Sequence, residues 1–158
     1  MIAIDEFWKA LEDEGFRAFV QDHLKTIRKK NGAIIFATQS PRDALRSPIA
    51  HTIIEQCATQ IYMPNGRADP VDYRHGMKLG PREFSLVSNV LTSDSRRFLI
   101  KQDQASVVVE LNLSGFTEEL DILSGRSASV LLLDALRAKV GDDPAHWLHL
   151  LHQQMRAA

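Results

Sequence analysis

Two short apolar runs, IAI at 2–4 and AIIFAT at 33–38, flank a long amphipathic stretch, and their spacing constrains the fold more than any other feature of the chain. Runs this short and this rich in β-formers predict buried strands; AIIFAT suits a central strand covered on both faces. Between them, residues 12–30 (EDEGFRAFVQDHLKTIRKK) carry Phe16, Phe19, Val20, Leu24 and Ile27 at spacings of three and four, which predicts a helix. Acids gather at its start and bases at its end, as the helix dipole favours, and Asn31-Gly32 supplies a stop. Ser40-Pro41-Arg42-Asp43 has the chemistry of a helix start: a cap hydroxyl, proline at the first position and an acid at the third. A further helical stretch, IAHTIIEQCA, leads to another predicted buried strand at 60–63. Strand, helix, strand, helix, strand predicts a parallel sheet with right-handed crossovers.

Past the turn residues at 64–69 the pattern changes. Residues 72–77 and 81–91 predict two short helices. Residues 98–102 and 106–111, separated by Asp103-Gln104, predict an antiparallel hairpin. Three helical segments follow at 117–123, 128–140 and 144–155. The last two place Val130, Leu133 and Leu136, and Leu148, Leu151 and Met155, on their inner faces. The expected class is α/β.

Composition excludes several alternatives. The chain of 158 residues is long enough for one domain with a core, and 44% hydrophobic with 25% charged is ordinary for a globular protein. A net charge of −1 gives no general attraction to nucleic acid or anionic membrane, so a nucleic-acid partner is not expected. A single cysteine, Cys57, rules out an internal disulfide and suits a reducing compartment. The runs VVV, VLLL and AIIFA are far shorter than the ~20 residues of a membrane helix, and no secretory leader is visible.

The chemistry-bearing residues fall at strand ends. Asp5-Glu6 follows the first apolar run, so both acids stand at the carboxyl end of a strand, where open α/β sheets bind ligands. In phosphoryl transfer, an aspartate there holds the magnesium shell through water and the next acid orients or activates the attacking water. The same acids also suit the start of the following helix. Gln39 ends the neighbouring strand and is expected beside them, where its amide could sense a terminal phosphate or hold that water. Arg28 closes the intervening helix and could reach a neighbouring subunit's site as a charge-neutralising finger. With Lys29 and Lys30 it equally makes a routine basic helix end.

IDEFWKAL, TIRKKNGAIIFATQSPRDAL, IIEQCATQIYMPN, RRFLIKQDQASVVVELNLSG and LSGRSASVLLLDALRAKVGDDPAHW, in this order over nearly the whole chain, resemble the C-terminal end of the VirB/TrbE/CagE-type ATPases of type IV secretion. The resemblance implies a RecA-like P-loop fold, hexameric assembly, Mg-ATP as cofactor and a place at the cytoplasmic face of the bacterial inner membrane. It implies that Asp5 and Glu6 are the Walker B pair, with Asp5 on magnesium, and that Gln39 is the glutamine of a TQS stretch. It also implies that Arg28 occupies the place of an intersubunit arginine. Arg126, in LSGR, falls in a family-like stretch without a role. The departure is as informative: none of the eight glycines begins a GxxxxGK[ST] phosphate loop. The chain is therefore expected to be a C-terminal fragment, 1–158, of a RecA-like motor domain. It would begin at the second catalytic strand and be inactive alone. Its expected partners are further copies, full-length motor subunits or other secretion components, and the alternative is a non-enzymatic module binding those subunits.

Two other features carry less. His146, His149 and His152 fan over ~120° of a helix, so only adjacent pairs could share a metal, and they read as a solvated or interfacial face. Cys57 lies in an apolar setting without a nearby base and reads as a small buried residue rather than a nucleophile.

Overall fold

A computed structural model describes residues 1–123 and 125–157, without the side chains of Arg28, Glu118, Asp121 and Ala157. The chain forms two compact units, Met1–Leu111 and Asn112–Ala158.

The first unit opens with β1 (Ile2–Ile4), a short α1 (Phe7–Ala10) and α2 (Glu14–Thr26). The Asp13 carboxylate caps α2, accepting the Phe16 N–H at 2.7 Å. The helix tightens into a 3-10 turn over Ile27–Lys30 before β2 (Ile34–Phe36). β1 and β2 pair in parallel, with Ile2 opposite Ile34 and Ile4 opposite Phe36. α3 (Pro41–Leu45) and α4 (Ala50–Gln56) follow. Proline takes the first turn of α3 as expected, but the Ser40 hydroxyl makes no cap bond. Instead, the Thr38 hydroxyl donates to the Ser40 carbonyl at 3.1 Å and accepts the Ser40 N–H at 3.3 Å.

The expected burial of AIIFAT on both faces does not hold: Ile35 is 51% exposed. α1 to α4 all contribute to one core, of Phe7, Leu11, Val20, Ala44, Ile49 and Ile53, against which Ile4 and Phe36 pack. The opposite face of the strand pair, carrying Ala3 and Ile35, stays open. Phe19 also departs from the expected helix stripe, being 42% exposed and stacked on His23 with ring centroids 3.8 Å apart.

The third strand corrects the expected all-parallel sheet. β3 (Thr59–Tyr62) does not join β1 and β2. It pairs antiparallel with β4 (Arg97–Gln102), which pairs antiparallel with β5 (Ala105–Glu110). The physical reason lies in its side chains. Ile61 and Met63 are 58% and 63% exposed while Tyr62 is buried, an alternation that suits a one-sided antiparallel sheet. The hairpin itself forms as expected around Asp103-Gln104, with Gln102 opposite Ala105. Between β3 and β4, Val71–Gly76 and Leu86–Val90 wind as π-helical turns on either side of α5 (Pro81–Ser85). A second core of Tyr62, Tyr73, Leu79, Val87 and Leu99 sits beneath this sheet. At its margin Lys101 Nζ lies 2.8 Å from Glu83 Oε2, and Glu83 also accepts the Gly80 N–H at 2.7 Å.

The second unit holds α6 (Thr117–Leu123), α7 (Ser127–Val140) and α8 (Pro144–Ala157). Leu136 and Leu151 are buried, as their positions predict, but Val130 is 44% exposed and Ser129 is buried instead. His146 and His149 are exposed and His152 is half-buried.

Candidate active site

The parallel pair brings two strand ends to one edge. The Ala37 N–H donates to the Ile4 carbonyl at 2.9 Å, and the Phe7 N–H to the Ala37 carbonyl at 3.2 Å, so the turn after β1 is pinned to the turn after β2. Asp5 and Glu6 occupy the first turn and Gln39 the second. Asp5 is exposed, and its carboxylate accepts the Glu6 N–H at 2.9 Å. Glu6 adopts φ 45°, ψ 43°, a left-handed conformation that side chains other than glycine rarely take. Gln39, 33 residues away in sequence, donates its Nε2 to Glu6 Oε1 at 3.1 Å.

The other Glu6 oxygen is also engaged, since Lys9 Nζ lies 2.7 Å from Oε2. Lys9 additionally sits 5.4 Å from the Trp8 ring centroid. Its ammonium is held protonated above the ordinary lysine value, first by the hydrogen bond to Glu6 and then by that carboxylate's charge. Lys9 is not among the residues expected at this edge from the sequence; it stands three positions after Glu6, one helical turn along.

The site is anchored from behind. Arg42, in the helix that follows Gln39, places Nε 2.9 Å from Asp72 Oδ2 and a terminal nitrogen 2.5 Å from Asp69 Oδ2. Those contacts tie the Gln39 turn to the segment leading into the second core. The Arg28 side chain lies outside the described residues; its backbone belongs to the 3-10 turn before β2. Arg126 immediately precedes α7. Cys57 is half-buried, and burial pushes its thiol pKa up, which leaves it a weak nucleophile at neutral pH.

Among the described residues no group of three or more His, Cys, Asp and Glu converges on one point. A single exposed carboxylate suits a magnesium ion that keeps most of its waters and arrives on phosphates, rather than one caged by protein alone. Two clefts of about 220 and 240 Å³ are present, one lined by Cys57, Gln60 and Lys101 and the other by Trp8, Arg17 and Arg46. Neither is lined by Asp5, Glu6 or Gln39; Asp5 and Gln39 are exposed and Glu6 half-buried, which makes their strand ends an open edge.

Comparison with known proteins covers this edge and extends beyond it. The TraG P-loop domain family matches residues 1–73, a span that contains Asp5, Glu6 and Gln39. The type IV secretion system protein virB4 of Bartonella henselae is 56% identical over 154 residues, 98% of this chain and 20% of that protein. The virB4 protein of Brucella abortus is 43% identical over 154 residues, 98% of this chain and 18% of its own length. The type IV secretion system protein PtlC of Bordetella pertussis is 40% identical over 156 residues, 98% of this chain and 19% of its own. The chain thus spans about a fifth of the length of the curated relatives it matches.

Proposed function

Because the chain belongs to the VirB4-type family of type IV secretion ATPases, we propose that it is the Walker B-onward, C-terminal part of a RecA-like motor domain. In this reading the whole protein hydrolyses ATP to power assembly or substrate transport across the bacterial envelope. The observation that carries the reading is the Gln39–Glu6 hydrogen bond at the carboxyl end of the parallel pair, with Asp5 beside it. A water-activating carboxylate needs an orienting partner, and an amide from the adjacent strand supplies one without adding charge.

The roles follow from the chemistry of each group. Asp5 would hold magnesium through its waters. When bound, the metal and nucleotide supply the phosphoryl group and neutralise its developing charge. Glu6 accepts the proton of the attacking water, Gln39 holds Glu6 and can sense the terminal phosphate, and Arg28 is assigned to a neighbouring subunit's site. The RecA-like assignment draws support from topology: β2 and β3 lie in one compact unit, joined through α3 and α4, yet each keeps a free edge. That arrangement leaves a place for a further strand carrying the phosphate loop, a motif absent from these 158 residues. The chain alone would then be inactive. Assembly with further copies into a hexamer, or with other secretion components at the cytoplasmic face of the inner membrane, belongs to the same reading. Among the described residues no helix is long and apolar enough to cross a membrane.

A second reading, a non-enzymatic module that binds motor subunits, is favoured by the second unit. There Phe116, Leu123 and Leu131 are 54%, 79% and 71% exposed. Mg-ATP titration of the chain, beside hydrolysis by a protein of the relatives' full length, separates the two. The motor reading expects no saturable binding by the chain at millimolar nucleotide. It also expects hydrolysis by the full-length protein that Glu6→Gln lowers at least ~100-fold. Hydrolysis indifferent to Glu6→Gln would overturn it.

A further inference from the structure

Lys9 is a charged side chain at the edge, paired with Glu6, to which the proposed mechanism gives no part. An exposed lysine–glutamate pair one helical turn apart ordinarily contributes little. This one differs in what else holds the glutamate. Glu6 Oε2 is 2.7 Å from Lys9 Nζ, while Oε1 accepts the Gln39 amide at 3.1 Å. The two donors come from different parts of the fold, α1 and the turn after β2. The Glu6 backbone, at φ 45°, is already turned so that its side chain meets both. A carboxylate offers about four acceptor positions. Lys9 and Gln39 take one on each oxygen and leave one on each for water.

We infer that Lys9 is a positioning residue: with Gln39 it fixes the Glu6 carboxylate at both oxygens, so that the remaining lone pairs face a water in one orientation. The inference rests on the reading of Glu6 as the water-activating group. The Trp8 ring, 5.4 Å from the ammonium, confines Lys9 on a further side. Without Lys9 only Gln39 restrains the carboxylate, which can then swing about that single bond, and a small misplacement of a base is costly in rate.

The test is steady-state ATP hydrolysis by a protein of the relatives' full length carrying Lys9→Met, Lys9→Arg or Glu6→Gln, with thermal midpoints recorded for each. Lys9→Met keeps the side-chain length and removes the charge. It is expected to lower kcat about three- to tenfold with KM for ATP unchanged, and Lys9→Arg to recover at least half of that loss. Lys9 is largely exposed, so the thermal midpoint should not move. Unchanged kcat in Lys9→Met, where Glu6→Gln abolishes turnover, overturns the inference alone. Equal losses in Lys9→Met and Lys9→Arg, or a loss matched by a lowered thermal midpoint, overturn it as well. Turnover indifferent to Glu6→Gln overturns the assignment of Glu6, and the role of Lys9 with it.

Discussion

The Gln39 amide reaches Glu6 Oε1 at 3.1 Å across 33 residues of sequence, joining two strand ends by their side chains as well as by the parallel ladder. The pair makes a directional prediction. Gln39→Glu sets a second carboxylate against Glu6 and should cost more activity than Gln39→Ala, which only removes the donor. Parallel kcat measurements on the two variants in the full-length protein check this; equal activities would contradict it.

Leu99 is fully buried in the second core, which it shares with Tyr62, Tyr73, Leu79 and Val87. Leu99→Ala should destabilise the first unit by about 2–5 kcal/mol, the range for cavity-forming leucine truncations. Val20→Ala, in the other core, removes less volume and should cost about 1–3 kcal/mol. Chemical denaturation read by circular dichroism gives both values.

The Glu83–Lys101 pair predicts an acid-sensitive transition. Burial raises the Glu83 carboxyl, but the Lys101 ammonium and the Gly80 N–H outweigh it and hold its pKa below the ordinary value. A carboxyl depressed in the folded state gives stability that is fully present above its unfolded pKa, about 4.3. That stability is lost as pH falls through the folded value. Stability should therefore stay level from neutral pH to about 4.3 and then decline. Lys101→Met should remove about 1–3 kcal/mol at pH 7 by leaving a half-buried carboxylate unpaired, and Lys101→Met with Glu83→Gln should cost less. Denaturation midpoints at pH 3, 5 and 7 test the series.

Gly76 closes the π-helical turn at Val71–Gly76, where an added methyl would overlap the Leu45 side chain of α3. Gly76→Ala should therefore cost about 1–3 kcal/mol through overpacking. Gly80→Ala meets only Glu83 Oε2, at 3.5 Å, and should be far milder. Thermal denaturation of the two variants gives the contrast.

Local periodicity carried much of the fold. The α2 stripe, the Pro41 start, the hairpin around Asp103-Gln104 and the three last helices were all legible, because each is set by residues within a few positions of one another. Strand partnership was not. The segment around Ile61 looks like any short apolar strand, and only its pairing with β4, some forty residues on, makes it antiparallel. Ile35 looked like a doubly covered position because the sequence does not say that α1 to α4 all pack on one face. At the candidate site Asp5, Glu6 and Gln39 could be placed from strand ends alone. Lys9 could not be singled out, because its significance depends on the left-handed turn at Glu6, which no residue type announces.

The split between the two sheets has a consequence for cooperativity. β1 and β2 share a ladder only three residues long and stand on their own cluster of side chains, apart from the six-residue hairpin and the core beneath it. The edge that presents Asp5, Glu6 and Gln39 is therefore the part of the unit with the fewest interstrand bonds to lose. Amide exchange should find it opening first. A ligand or strand that settled there would add order to the region as well as bind to it, so its affinity and the stability of this edge would rise and fall together.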